Sequence, residues 1–213
     1  MLGLEQTYWE DGCRRLAGVD EAGRGPLAGP VVAAAVVMGR SFAEREEHGL
    51  LDGLTDSKKL SAAAREAFYD FLSTCPDVEI GVGTAESNEI DRINILQATH
   101  AAMARAVGNL PCLPEHVLVD GRPVGGLPCT STSVVRGDAS SLLIAAASVV
   151  AKVVRDARMR ELDKIYPQYG FAKHKGYGTS EHVQALFEHG PCPLHRRSFR
   201  PVSEAQAIRE RTG

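Results

Sequence analysis

The segment Gly18-Val19-Asp20-Glu21-Ala22-Gly23-Arg24-Gly25-Pro26-Leu27-Ala28-Gly29-Pro30 constrains this chain more than any other stretch. Two adjacent carboxylates stand where a short apolar run ends and a glycine-rich turn begins. Adjacent acids repel each other, and at the mouth of a fold a cation holds such a pair together. Gly23 and Gly25 let the backbone approach a bound group closely, and Arg24 between them is a permanent positive charge. A cation site, a fixed positive charge and backbone donors in one turn suit phosphodiester chemistry. In a regular strand, however, neighbours face opposite ways. Asp20 and Glu21 can share a site only if a bulge or the strand's end re-aims one of them.

Further acids fall at the ends of expected elements. The run His116-Val117-Leu118-Val119-Asp120 reads as a buried strand ending in a carboxylate, and Asp138 stands at the mouth of a helix. Mg²⁺ and Mn²⁺ prefer hard oxygen ligands and need few from the protein, because water and phosphate complete their shells. Asp138, just before Ala139-Ser140-Ser141, serves equally well as a helix cap. Lys58 and Lys59, beside a helix start, are natural phosphate partners, although paired surface lysines are common. Tyr177 lies between Gly176 and Gly178 with little local reason to enter a core, which suits a ring stacking on a sugar or base. The seven histidines form no HxH or HExxH pattern, so none is assigned as a ligand. Taken alone, these residues reach a metal-dependent phosphodiesterase and go no further.

At 213 residues the chain can bury one sizeable core. Strands are expected over residues 16–20, 31–38, 78–85, 116–120 and 130–135. Helices are expected over 62–73 (capped by Ser61), 86–107, 139–162 and 180–188 (capped by Ser180). Ile90, Ile93, Leu96 and Ala101 should share one helix face, and residues 40–53 read as a loop. That order suits an α/β fold, a mixed sheet flanked by helices, with a small C-terminal helical segment. No signal-peptide pattern opens the chain, and no apolar run approaches the ~20 residues that span a bilayer. Five cysteines form no CxxC pair, so a reduced, cytoplasmic protein without a membrane partner or zinc site is expected. Residues 1–151 hold 12 Lys/Arg against 20 Asp/Glu, and residues 152–200 hold 10 against 5. An acidic part joined to a basic one suits a polyanion held across a cation site, as it also suits an ordinary solvated surface.

The blocks Val19–Pro30, Asp56-Ser57-Lys58-Lys59-Leu60-Ser61, Asn94-Ile95-Leu96-Gln97-Ala98, Val119-Asp120-Gly121, Gly137-Asp138, residues 147–156 and His174-Lys175-Gly176-Tyr177-Gly178-Thr179 together resemble type 2 ribonuclease H, specifically bacterial ribonuclease HII. The resemblance implies a ribonuclease H-like catalytic domain over residues 1–165, with residues 166–213 packed on it and contacting substrate. It implies an endonuclease for RNA/DNA hybrids and for DNA duplexes containing ribonucleotides, dependent on Mn²⁺ or Mg²⁺; a monomer is expected, since nothing in the sequence points to a coiled coil or an obligate interface. Two-metal hydrolysis would leave 5′-phosphate and 3′-hydroxyl ends. By position, Asp20, Glu21, Asp120 and Asp138 match the metal-binding acids. Gly23, Arg24 and Gly25 match a turn that senses the ribose 2′-hydroxyl, and Tyr177 matches a tyrosine packing on the adjacent sugar. Ribonuclease HIII, a sibling with the same fold, a non-catalytic nucleic-acid-binding module and a small-molecule phosphatase, which would not need the basic aromatic loop, are the alternatives.

Overall fold

The computed structural model describes residues 1–212. Its centre is a mixed sheet of β1 (Leu16–Ala22), β2 (Val31–Met38), β3 (Val78–Ala85), β4 (His116–Asp120) and β5 (Thr130–Val134). The strand order is β3-β2-β1-β4-β5. β2 runs antiparallel to both of its neighbours, β1 and β3, whereas β4 lies parallel to β1 and β5 parallel to β4. β2 reads Val-Val-Ala-Ala-Ala-Val-Val-Met without alternation because both of its faces are covered, and all eight residues are buried. One face packs on α5 (Leu142–Ile165) and the other on α4 (Ser87–Gly108). Small residues set the spacing of these layers. A Cβ on Gly18 would overlap the backbone of Leu143, and one on Gly81 or Gly83 would overlap carbonyls of α4.

The expected helix over 86–107 is two helical segments fused at a kink. Asn94 adopts φ 66° and ψ 164°, a conformation costing a non-glycine residue on the order of 1–3 kcal/mol. Its side chain offsets part of that cost by capping the second segment: Oδ1 accepts from Leu96 N at 3.0 Å and Gln97 N at 3.1 Å. The kink breaks the helical period, which corrects the expected apolar face. Ile90 is buried, but Leu96 is 45% exposed, and the buried stripe continues through Ala98, Ala102, Met103 and Ala106.

Other boundaries also differ. Residues 40–46 are helical (α2, Arg40–Glu46), not a loop, because Phe42 and Ala43 are buried. An unexpected helix, α1 (Gly3–Glu10), buries Glu5 and Trp9. After α3 (Ala62–Thr74), capped by Ser61 as expected, the next departure is α5. It begins at Leu142 with Ser141 as its cap, and Asp138 lies in a separate 3₁₀ turn, Gly137–Ala139. The chain ends in α6 (Phe171–His174), α7 (Ser180–His189) and α8 (Arg200–Thr212). α7 is capped by Thr179 and not by Ser180. These helices close over the glycine-rich connection between β1 and β2. Ala28 packs with Met159, Tyr169, Phe171 and Cys192, while Leu27 packs with Leu186, Val202 and Ala205.

Candidate active site

β1 and β4 run parallel and carry their carboxylates at the same, C-terminal, end. Their pairing stops at Val19↔Val119, one residue before Asp20 and Asp120. The β1–β2 register runs without a slip through Asp20↔Ala34, Glu21↔Ala33 and Ala22↔Val32, so no bulge re-aims either acid. The strand's end is what opens the site: past Val19 the β4 side of β1 is unpaired, and the acids stand on either side of that gap. Asp20 lies on the α5 side, bordered by Ser148, and Glu21 is turned the other way toward Arg24. Asp120 Oδ1 accepts from Gly137 N at 2.7 Å, which draws the 3₁₀ turn bearing Asp138 against the end of β4.

The acids strain one another electrostatically. Burial, with the charges of Glu21 and Asp120, pushes the Asp20 carboxyl well above the usual carboxylate range. Burial also raises Glu21, against the opposing pull of Arg24, whose guanidinium lies 3.3 Å from its carboxylate. Asp138 is raised by burial and by Asp120, and it also meets the carboxyl of Asp56. Burial pulls the Lys58 ammonium down, yet Asp56, Asp20, Asp138 and Asp120 outweigh it and its pKa rises. Asp56, quoted in the sequence only as part of a block, is therefore a fifth acid at this site.

The turn after β1 is pinned from below by two buried arginines. Arg196 donates to the carbonyls of Gly23 (2.6 Å), Arg24 (2.8 Å) and Gly29 (2.9 Å). Arg155 donates to Pro30, Ala28 and Lys175. Both guanidinium groups are fully buried and donate to backbone carbonyls. Drawing the Gly23 and Arg24 carbonyls inward leaves the opposite side of the turn to face a cavity. Gly23 has φ +96°, and a Cβ there would overlap the Arg155 side chain, so only glycine fits.

That cavity, about 250 Å³, is lined by Glu21, Gly23, Arg24, Gly25, Ser57, Lys58, Ser148, Lys152 and Tyr177. Lys59 is exposed and lines none of the described cavities at the acids. Tyr177 is 43% exposed, and its ring faces Arg155 at 5.8 Å and Lys152 at 6.0 Å. A second cavity of about 190 Å³ shares Glu21 and Arg24 and continues past Asp120 to Leu96, His100 and Arg122. Glu21 and Arg24 thus form a ridge between two hollows. Ser148, Lys152, Arg155 and Arg196 carried no isolated signal in the sequence, because their roles come from partners distant in sequence: Asp20 for Ser148, the Tyr177 ring for Lys152, and carbonyls of residues 23–30 for the two arginines.

The donor set suits a hard divalent cation. It is all oxygen, desolvated and mutually repelled, a strain that a cation would reverse. Among the described residues no three His, Cys, Asp or Glu groups close on one point. The acids form an open frame, and an ion that keeps water and takes phosphate oxygens needs few protein ligands.

Residues 17–202 match the family model described as Ribonuclease HII. The chain belongs to the ribonuclease HII family. It is 53% identical over 201 residues to a ribonuclease HII of Geobacter metallireducens, covering 94% of this chain and 91% of that one. Among solved structures, the ribonuclease H2 of Pyrococcus horikoshii OT3 superposes with a TM-score of 0.74 at 25% identity, covering 93% of this chain and all of that one. A ribonuclease HIII described in complex with Mn²⁺ shares the fold, with a TM-score of 0.68 at 18% identity, over 94% of this chain and 71% of that one. Membership in the ribonuclease HII family makes the protein a nuclease, a hydrolase acting on the RNA strand of RNA/DNA hybrids. Among the described residues no helix is long and apolar enough to cross a membrane.

Proposed function

We propose that the protein also nicks DNA duplexes on the 5′ side of single embedded ribonucleotides, leaving 5′-phosphate and 3′-hydroxyl ends. The observation that carries this reading is the contiguity of two unlike devices. A frame of acids, Asp20, Glu21, Asp120 and Asp138, borders a rigid glycine turn whose exposed side faces Tyr177 across one cavity. The 2′-hydroxyl is what distinguishes RNA from DNA at a given nucleotide. Backbone donors of residues 23–25, immobilised by Arg196, suit a reader of that single group. Tyr177 packs on the neighbouring sugar, and Lys58, Lys152 and Arg24 offset phosphate charge.

Asp20, Glu21, Asp120 and Asp138 would hold Mg²⁺ or Mn²⁺. When bound, such ions supply an activated water and stabilisation of the leaving oxygen. The chain's own residues orient the strand across the Glu21–Arg24 ridge, so that the scissile phosphate lies beside the acids while the sugar occupies the Tyr177 cavity. Residues 166–213 serve as the substrate-contacting segment of a cytoplasmic monomer. The test is a DNA duplex with one ribonucleotide, incubated with Mg²⁺, Mn²⁺ or chelator, with the nick mapped to the nucleotide. Cleavage only within long RNA tracts, or cleavage that survives chelation, would refute the proposal.

A further inference from the structure

Three histidines and a cysteine are buried behind Tyr177, in a part of the molecule that the acids do not reach. His182 and His195 are essentially inaccessible to solvent, and His174 is nearly so. Their hydrogen-bond partners fix the tautomers. A carbonyl oxygen only accepts, so His182 Nδ1, 2.9 Å from Tyr177 O, carries a proton. The neutral His182 Nε2 is then an acceptor, and His195 Nε2 donates to it at 3.1 Å. His195 Nδ1 is left as an acceptor, and the amide of Cys192 donates to it at 3.0 Å. The result is one directional chain: Cys192 N–H to His195, His195 to His182, His182 to the Tyr177 carbonyl.

The chain ends on one wall of the cavity and starts beside the other. His195 bridges to Ala28 in the glycine-rich connection, and the next residue, Arg196, grips Gly23 and Arg24. His174 stacks on His182, with ring centroids 4.4 Å apart, and accepts from Gly176 N at 3.2 Å. Tyr177 O also accepts from Thr179 N at 2.8 Å. The backbone of Tyr177 is thereby held on both sides while its ring stays exposed. Neutral imidazoles suit the task, because they donate and accept in line without placing a charge behind a ring already faced by Arg155 and Lys152.

We infer that His182 and His195 are positioning residues that set the distance between Tyr177 and the glycine turn, and thereby the preference for an isolated ribonucleotide over a long RNA tract. This inference rests on the reading of Tyr177 as a sugar-packing ring. An Asn at 182 can place an amide donor near the position of Nδ1, whereas Leu cannot.

The experiment measures kcat and KM for H182L, H182N, Y177A and H182L/Y177A on two substrates, a duplex with one ribonucleotide and a continuous RNA/DNA hybrid. H182L should lose about tenfold in kcat/KM on the single-ribonucleotide duplex and clearly less on the hybrid. H182N should recover most of that loss. In the Y177A background the added H182L should cost less than about twofold, because the group it positions is gone. Multiplicative losses, with Y177A still costly, would overturn the relay and leave the sugar-packing reading standing. A harmless Y177A would overturn that reading and, with it, the relay's part in selectivity. Should H182L not fold, nitrogen-15 spectra of the unsubstituted protein read the tautomers directly. A His182 protonated at Nε2, or a His195 protonated at Nδ1, would sink the chain as drawn.

Discussion

Arg196 donates to the Gly23 carbonyl at 2.6 Å across 173 positions of sequence. The guanidinium is buried and donates to carbonyls, not to a carboxylate, and burial together with neighbouring Arg155 lowers its pKa to about 9, so it stays charged at neutrality. An ammonium cannot span the Gly23, Arg24 and Gly29 carbonyls as a planar fork does. R196K should therefore leave at least one buried carbonyl unpaired and cost about 1–3 kcal/mol, seen as a lower urea midpoint. Cleavage at an isolated ribonucleotide should fall more than cleavage of a continuous hybrid. A lysine variant as stable and as selective as the parent would contradict the role given to the fork.

On the proposed reading Asp120 has two tasks, holding the 3₁₀ turn and binding the ion, and one substitution separates them. Its Oδ1 accepts from Gly137 N, and an asparagine keeps that acceptor while removing the charge. D120N should thus retain the fold and the affinity for an RNA/DNA duplex, yet lose cleavage by on the order of a thousandfold. Gel-shift and single-turnover assays on the same preparation decide it. Undiminished turnover would remove Asp120 from the chemistry.

The buried imidazoles predict how stability responds to acid. Burial lowers His182, and burial with the neighbouring His182 charge lowers His195 to about 3, against an unfolded value near 6.5. The unfolded chain therefore takes up protons first, and stability falls as pH drops from about 6.5 toward 3. Asp20, Glu21 and Asp138, raised by burial, act with the opposite sign, so the informative quantity is a difference. Relative to H195Q, the parent should lose ~1.4 kcal/mol more per pH unit over this window. Parallel stability–pH curves for the two proteins would mean that His195 titrates in the folded state as it does in the unfolded chain.

Much of this was legible in the sequence, for identifiable reasons. Short apolar runs bounded by glycine- and proline-rich turns placed the strands, because both signals are local. The acids stood out because carboxylates at strand ends are unusual. α2 was not legible, since Phe42 and Ala43 are buried only against a core that other segments build. The kink at Asn94 hid in a continuous helical pattern, and it moved Leu96 from the expected apolar face to the rim of a cavity. Arg155 and Arg196 carried no local signal because the carbonyls they hold in the glycine-rich connection lie more than 100 positions away. The histidines, set aside for lack of ligand spacing, were informative only once their backbone partners were known.

α1 supplies a last case, in which a residue from an unexpected helix supports the site at a distance. Glu5 is fully buried, and its Oε1 accepts from Ser141 Oγ at 2.6 Å and from Leu143 N at 3.1 Å. A carboxylate thus sits on the N-terminus of α5, where exposed amides and the helix dipole favour negative charge. Farther along that helix, Ser148 borders Asp20. E5A removes the acceptor and should destabilise the protein by about 1–3 kcal/mol. E5Q keeps Oε1 as an acceptor and should lose less, even though it forgoes the charge. Because the acids draw on β1, β4 and the 3₁₀ turn and not on α1, kcat for both variants should stay within about twofold of the parent below their melting range. Equal stability of E5A and the parent in urea would show that the α5 terminus is satisfied without Glu5.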